Sequence, residues 1–116
     1  LNPAAIKAFN ALPNLNPAAI KAFNALPLLS NMFYVYVIKS KMDGNLYFGS
    51  TNDLKKRFAE HNSGKVFSTK HRKPFELVYY EAYKAEKDAR NREYNLKLRA
   101  NAFNQLKRRI YESVKI

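Results

Sequence analysis

Arg57 and His61 share a stripe with Leu54 and Phe58 along a helix predicted to begin near Thr51–Asp53 and to end by Ser63, while Lys55, Lys56 and Glu60 point elsewhere. A guanidinium and an imidazole are thereby placed on the inward or cleft-lining side. Glu93 falls in a similar place on a later helix, on the stripe formed with Ala85, Ala89 and Leu96. A carboxylate on an apolar face is costly unless it is paired, hydrated or bound to a metal ion. The structural alternative is an Arg57–Glu93 ion pair, or side chains snorkelling at the edge of each stripe.

Two tyrosines add to this set. Phe33–Lys39 (FYVYVIK) is rich in aromatic and β-branched residues and reads as a strand, and Asn45–Ser50 reads as its return across a tight Asp43-Gly44 turn. A two-residue turn sets Met42 opposite Asn45, which puts Tyr36 and Ile38 on the same face as Tyr47 and Gly49. The two phenols then meet beside a glycine that leaves room for close approach. Each tyrosine taken singly is an ordinary half-buried strand residue; their coincidence is what points to a site.

The remaining elements must hold these groups in place. Gly64 stops the first helix, Lys65–Lys73 is a basic loop closed by Pro74, Phe75–Ala82 (FELVYYEA) is a third strand, and Ala85–Leu98 and Ala102–Val114 are two helices. The order β-β-α-β-α-α predicts an α+β fold, a small three-stranded antiparallel sheet flanked by helices.

Composition narrows the chemistry. With 116 residues, 47% of them hydrophobic, the chain has enough for one domain and one core. Cysteine is absent, which excludes disulfides, thiolate catalysis and cysteine-based zinc sites. No apolar run approaches the roughly 20 residues that span a bilayer, and the N-terminus lacks a secretory pattern. A soluble cytoplasmic protein, with no membrane partner, is the expectation. The formal charge is +12, and Lys7 and Lys21 are the only charges in residues 1–31. The other 19 basic residues and all 9 acidic ones lie in 32–116. A small domain so charged is relieved of self-repulsion beside a polyanion, and nucleic acid is the leading candidate.

Residues 1–31 have a different texture. Leu1–Pro13 reads LNPAAIKAFNALP and Leu15–Pro27 repeats the same thirteen letters. Each copy can form a short amphipathic helix, with Asn2 or Asn16 as N-cap and Pro13 or Pro27 as its stop. Natural repeats diverge, and two copies cannot stack into a solenoid. The segment is expected to be non-native, or else an N-terminal docking arm, ahead of a domain at 32–116.

In that domain Tyr34-Val35-Tyr36, ten intervening residues and Tyr47-Phe48-Gly49 resemble the paired motifs of the GIY-YIG nucleases. The likeness continues through Asn52–Phe58, His61–Lys65, Pro74, Leu77–Glu81, Arg92-Glu93 and Lys97, covering nearly all of Met32–Arg99. It is greatest to the small stand-alone bacterial GIY-YIG proteins. The resemblance implies that Tyr36 and Tyr47 are the motif tyrosines, Arg57 the helix arginine and Glu93 the metal-binding glutamate. His61 matches a position that is often histidine in the small proteins. Tyr34 and Phe48 replace a glycine and an isoleucine of the motifs, and Ser50 stands where the nuclease module of the excision-repair incision subunit, which the chain resembles less, has a lysine.

Phosphodiester hydrolysis suits such a set. Glu93 would hold Mg²⁺, or Mn²⁺, with water and substrate oxygens completing the shell, and Arg57 would bind the phosphate bidentately. A tyrosine with an ordinary pKa near 10 is a poor base at neutral pH. The general base is therefore open between Tyr36, Tyr47 and His61. Lys65, Lys70, Arg72 and Lys73, with aromatic Phe67 among them, read as a strand-gripping loop. Two histidines without further ligands make no zinc site, and three glycines make no phosphate-binding glycine loop. The expected activity is a metal-dependent endonuclease acting on DNA rather than RNA, in repair or processing of DNA structures. The alternative is a nucleic-acid-binding module of the same fold with little or no turnover.

Overall fold

The computed structural model describes residues 32–116, together with Pro3, Pro17 and Ala18. The reading of the duplicated N-terminal segment lies outside the described residues. The domain runs β1 (Phe33–Ser40), β2 (Leu46–Thr51), α1 (Leu54–Asn62), β3 (Phe75–Tyr83), α2 (Glu86–Leu98), α3 (Ala100–Arg109) and α4 (Tyr111–Lys115). The strands form one antiparallel sheet in the order β2-β1-β3, so the α+β expectation holds.

β1 is the central strand and the most apolar, with Tyr34 to Ile38 all buried. Its alternation divides the molecule. Val35 and Val37 point to a core shared with Phe48, Ala89, Leu96, Leu106 and Ile110, under α2 and α3. Tyr36 and Ile38 point to the opposite face, where they pack with Phe75 and with Tyr47, Leu54, Phe58 and Leu77. Each such buried aliphatic or aromatic side chain contributes about 1.5–3 kcal/mol over exposure.

Two details of the hairpin differ from the expectation. Ser40, not Met42, faces Asn45, donating its N–H to the Asn45 carbonyl at 3.0 Å, and Lys41–Gly44 form a four-residue loop. The Ser40 hydroxyl stabilises the wider turn by accepting from the N–H groups of Met42 (3.1 Å) and Asp43 (3.2 Å). Gly44 takes the positive φ, +73°, that the loop requires. The pairing moves by two residues, so side-chain parity is preserved and Tyr36 lies opposite Gly49.

A bulge against β1 between Val37 and Ile38 changes parity along β3. Phe75, Leu77 and Tyr80 consequently share the Tyr36 side, while Tyr79, Glu81 and Tyr83 face α2. Asp53 caps α1 by accepting from the Lys56 N–H at 3.1 Å, and Gly64 ends it at φ +78°. The single last helix expected over Ala102–Val114 is instead α3 and α4, broken at Ile110. Ile110 leaves helical geometry (φ −108°, ψ 22°) while its side chain stays buried, so the chain bends to keep this residue in the core.

Candidate active site

Tyr36 is central to the site because β1 is central to the sheet. It is 1% exposed, and its ring lies across Gly49, where a Cβ would collide with the phenol oxygen. The missing side chain of Gly49 thus makes room for the Tyr36 ring, the close approach that hairpin parity suggested. From α1, the His61 Nε2 meets the Tyr36 hydroxyl at 2.7 Å, and on its far side His61 Nδ1 meets the Thr69 Oγ at 2.7 Å. The imidazole is fully buried among the rings of Tyr36, Tyr47 and Phe75, with centroids 5.2–5.8 Å away. One turn earlier on α1, the Arg57 guanidinium lies near enough to pull the Tyr36 pKa down and makes a long, half-exposed contact with Glu60 at 3.6 Å. Such an exposed pair contributes well under about 1 kcal/mol.

Burial controls the protonation of this unit. It pushes Tyr36 up to about 12, against the opposing pull of Arg57. It pushes His61 down to about 4, helped by the positive charge of Arg57. Both are neutral at pH 7, so the imidazole has one nitrogen able to accept a proton and the phenol keeps its own.

Glu93 comes from α2, which packs on the other face, and reaches the sheet at the open edge of β2. Ser50 donates to its Oε1 at 2.8 Å and the Lys97 Nζ pairs with its Oε2 at 3.0 Å. Lys97 also lies 5.4 Å from the centroid of the Tyr47 ring, tying this edge to the tyrosine side. Among the factors that raise the Tyr36 pKa is the negative charge of Glu93, so the two sense one another electrostatically. The structure therefore joins Tyr36 to His61 by a hydrogen bond and brings Arg57 and Glu93 within electrostatic reach of the phenol. Arg57 and Glu93 have other partners, so the purely structural Arg57–Glu93 pair is not formed. A cleft of about 370 Å³ opens beside this group, lined by Ser50, Asn52, Lys56, Arg57, Glu60 and Arg90 among others; of the expected catalytic residues Arg57 lines it, and Tyr36, Tyr47, His61 and Glu93 do not.

The basic loop is more ordered than a solvated run of charges. Val66 and Thr69 are buried, and they anchor it beneath α1. Arg72 turns back onto the hairpin, with Nε at 2.7 Å from Asp43 and a further bond to the Asn45 carbonyl at 3.2 Å. That contact holds the Asp43 carboxyl down at about 2. Of the four cations expected to grip a strand, Arg72 is thus committed to the fold. Lys65 and Lys73 are exposed, and Lys70 lies 4.8 Å over the ring of Phe67, which is 83% exposed.

Three contributors were not singled out from sequence. Thr69 is one polar residue inside a polar loop, and nothing in its spacing marks it. Ser50 stood out as a departure from the motif, with no sign that it would hold Glu93. Lys97 matched the family pattern without a role; its place four residues after Glu93 on a helix is the signal that was available.

Residues 32–110 match the GIY-YIG catalytic domain, and the chain belongs to that family. Among individual proteins it is similar to a UPF0213 protein of Bacillus pumilus, 48% identical over 65 residues, covering 55% of this chain and 65% of that protein, less than two thirds of its length. It is also similar to the UPF0213 protein YazA of Bacillus subtilis, 42% identical over 69 residues, or 59% of this chain and 69% of that protein. The solution NMR structure of a UPF0213 protein from Bacillus halodurans aligns with 38% identity over 65% of this chain and 81% of that one, at a TM-score of 0.42. No helix among the described residues is long and apolar enough to cross a membrane.

Proposed function

We propose that the domain is a metal-dependent endonuclease that hydrolyses phosphodiester bonds in DNA. The observation that carries this reading is the Tyr36 hydroxyl hydrogen-bonded to a neutral His61 and within the electrostatic reach of Arg57, which lines a cleft in a strongly basic domain.

Tyr36 with His61 behind it takes the base role. As the attacking water forms its bond to phosphorus, its proton passes to the Tyr36 oxygen while the Tyr36 proton passes to His61 Nε2. The fully buried imidazole reaches substrate through Tyr36 alone. Arg57 lines the cleft and acts on the phenol electrostatically, so a phosphate it binds is held near the hydroxyl while the guanidinium neutralises developing charge. The leaving oxygen departs as the new bond forms and takes its proton from solvent. Tyr47 walls the imidazole on the side facing Lys97.

Glu93, with the Ser50 hydroxyl beside it, presents hard oxygen donors, and no group of three or more acidic, histidine or cysteine ligands exists among the described residues. One carboxylate fits Mg²⁺ or Mn²⁺, which keep several waters and accept substrate oxygens. When bound there, the ion would supply Lewis-acid stabilisation of the phosphate and leaving oxygen. Loading the site requires Lys97 to release the Glu93 carboxylate.

A binding module of weak turnover is the second reading, favoured by the same Lys97–Glu93 pair and by Ser50 in place of a lysine. Incubation with labelled DNA and RNA of duplex, branched and single-stranded form separates the two. The nuclease reading expects cleavage of DNA with Mg²⁺ or Mn²⁺ and none with chelator. Binding without cleavage under every condition supports the second.

A further inference from the structure

Thr69 lies eight residues beyond His61, in the loop rather than in any element of the site, yet it is fully buried against the imidazole. Its position is fixed from both sides. Its N–H donates to the Val66 carbonyl at 3.1 Å, and its own carbonyl accepts from the Arg72 N–H at 2.9 Å. Val66 is buried and Arg72 is clamped to Asp43, so the hydroxyl is aimed at His61 by a loop anchored at both ends.

The hydrogen bonds around His61 have a direction that can be deduced. Arg57, the nearby cation, can act only as a donor and so offers the Tyr36 proton no acceptor. Tyr36 is buried, and its strongest available proton acceptor is the His61 nitrogen at 2.7 Å. A phenol is a better donor than an aliphatic hydroxyl, so Nε2 takes the Tyr36 proton and Nδ1 must carry the ring's own. The rings of Tyr47 and Phe75 fill the other sides, and the charges of Arg57 and Glu60 act from α1.

We propose that Thr69 is a positioning residue for the hydrolysis: its hydroxyl oxygen accepts the His61 Nδ1 proton and so keeps Nε2 open to the Tyr36 hydroxyl. The catalytic part of this statement rests on the nuclease reading above; the hydrogen-bond part does not. During the reaction the O–H bond of water breaks, the Tyr36 O–H is remade from that proton, and an N–H forms at Nε2. The resulting imidazolium keeps its Nδ1 proton on the Thr69 oxygen, and the Nε2 proton returns through Tyr36 once the leaving group has gone. Without the Thr69 acceptor a buried imidazolium has one unpaired donor.

The test uses ¹⁵N-labelled protein of residues 1–116 as wild type, Thr69→Val and Thr69→Ser. Long-range proton–nitrogen correlation spectra at pH 7 report which His61 nitrogen carries the proton, and pH–rate profiles of DNA cleavage with Mg²⁺ are measured beside them. The expected result is the Nδ1-protonated ring in wild type and Thr69→Ser, and its loss in Thr69→Val. The valine variant's kcat at neutral pH should fall at least about tenfold, part of the roughly 10²–10⁴ that a positioned base supplies. KM should be unchanged and serine should restore the rate. An Nε2-protonated ring in wild type, or an unchanged ring and kcat in Thr69→Val, would overturn the proposal. The wild-type spectrum decides the bond even if the valine variant folds poorly. Should no form of the protein cut any nucleic acid, the nuclease reading falls while the spectra still decide what Thr69 does to His61.

Discussion

On each face of the sheet a tyrosine hydroxyl meets an ionisable partner in a hydrogen-bonded cluster, and the two clusters are built on opposite principles. On the α2 side, Glu81 accepts from the Tyr79 hydroxyl at 2.8 Å, from the Tyr83 hydroxyl at 2.5 Å and from Arg92 at 3.0–3.1 Å. Burial works against this carboxylate, but its bonds to Arg92, Tyr83 and Tyr79 outweigh that and hold its pKa below the ordinary value. Charge is matched by charge and both carboxylate oxygens are used. On the α1 side, Tyr36, His61 and Thr69 form a chain of neutral groups with Arg57 at its outer end. The imidazole is bonded only to neutral hydroxyls, with no carboxylate hydrogen-bonded to it, and Arg57 lines a cleft. The first arrangement stabilises the fold; the second is poised to move a proton. Both contain tyrosine hydroxyls and an arginine, so residue types alone do not distinguish them.

The largest expected departure from that contrast comes from Glu93. Glu93→Ala should abolish metal-dependent cleavage while DNA binding stays intact or becomes slightly tighter, because a negative charge near phosphate is removed. Wild-type rates in the folded mutant at saturating DNA would take Glu93 out of the mechanism. Arg57→Ala comes next, with kcat falling about 10²–10³-fold, as when one preorganised donor is lost, and with weaker binding as well. Circular dichroism establishes that the mutant is folded before rates are compared.

A pH titration sharpens the comparison through stability. His61 titrates near 6.5 when unfolded and about 4 in the fold, so the unfolded chain binds the extra proton between those values. Its contribution is full above pH 6.5 and is lost as pH falls toward 4, about 3 kcal/mol at most. Glu81 also has a lowered folded pKa, so its contribution is present above the unfolded value and is lost as pH falls through the folded one. Urea midpoints measured from pH 7 to pH 5 should therefore fall in wild type and stay nearly flat in His61→Gln. A parallel fall in both proteins would contradict a buried neutral imidazole.

The smallest effect belongs to the closed cluster. Glu81→Gln should cost roughly 1–3 kcal/mol of stability, because Arg92 loses its counter-charge at a partly buried position. The folded fraction should keep wild-type kcat. A specific loss of turnover would mean that the two faces are not separate in function.

Much of this was legible in the sequence, for reasons that particular residues make plain. The face shared by Tyr36, Tyr47 and Gly49 follows from period-two alternation. It survived an incorrect turn because the Ser40 loop moved the register by two residues, not one. Arg57 and His61 on one side of α1 follow from helical periodicity in the same way. The break at Ile110 was hidden, since apolar spacing continues smoothly across it and the bend depends on how Ile110 seats in the core. The commitment of Arg72 to Asp43 was equally hidden, being a contact between two loops far apart in the chain. Thr69 was the least legible of all: its partner is chosen by the path of an irregular loop, which no period encodes.

Tyr36→Phe puts the central claim at greatest risk, since it removes a single oxygen and keeps the ring that packs over Gly49. Single-turnover cleavage of labelled DNA with Mg²⁺, at saturating protein, compares it with wild type. The account predicts that wild type cuts and that the phenylalanine variant, folded and binding DNA normally, is slower by at least about 10²-fold, the lower end for loss of a positioned base. Equal cleavage by the two proteins would contradict it.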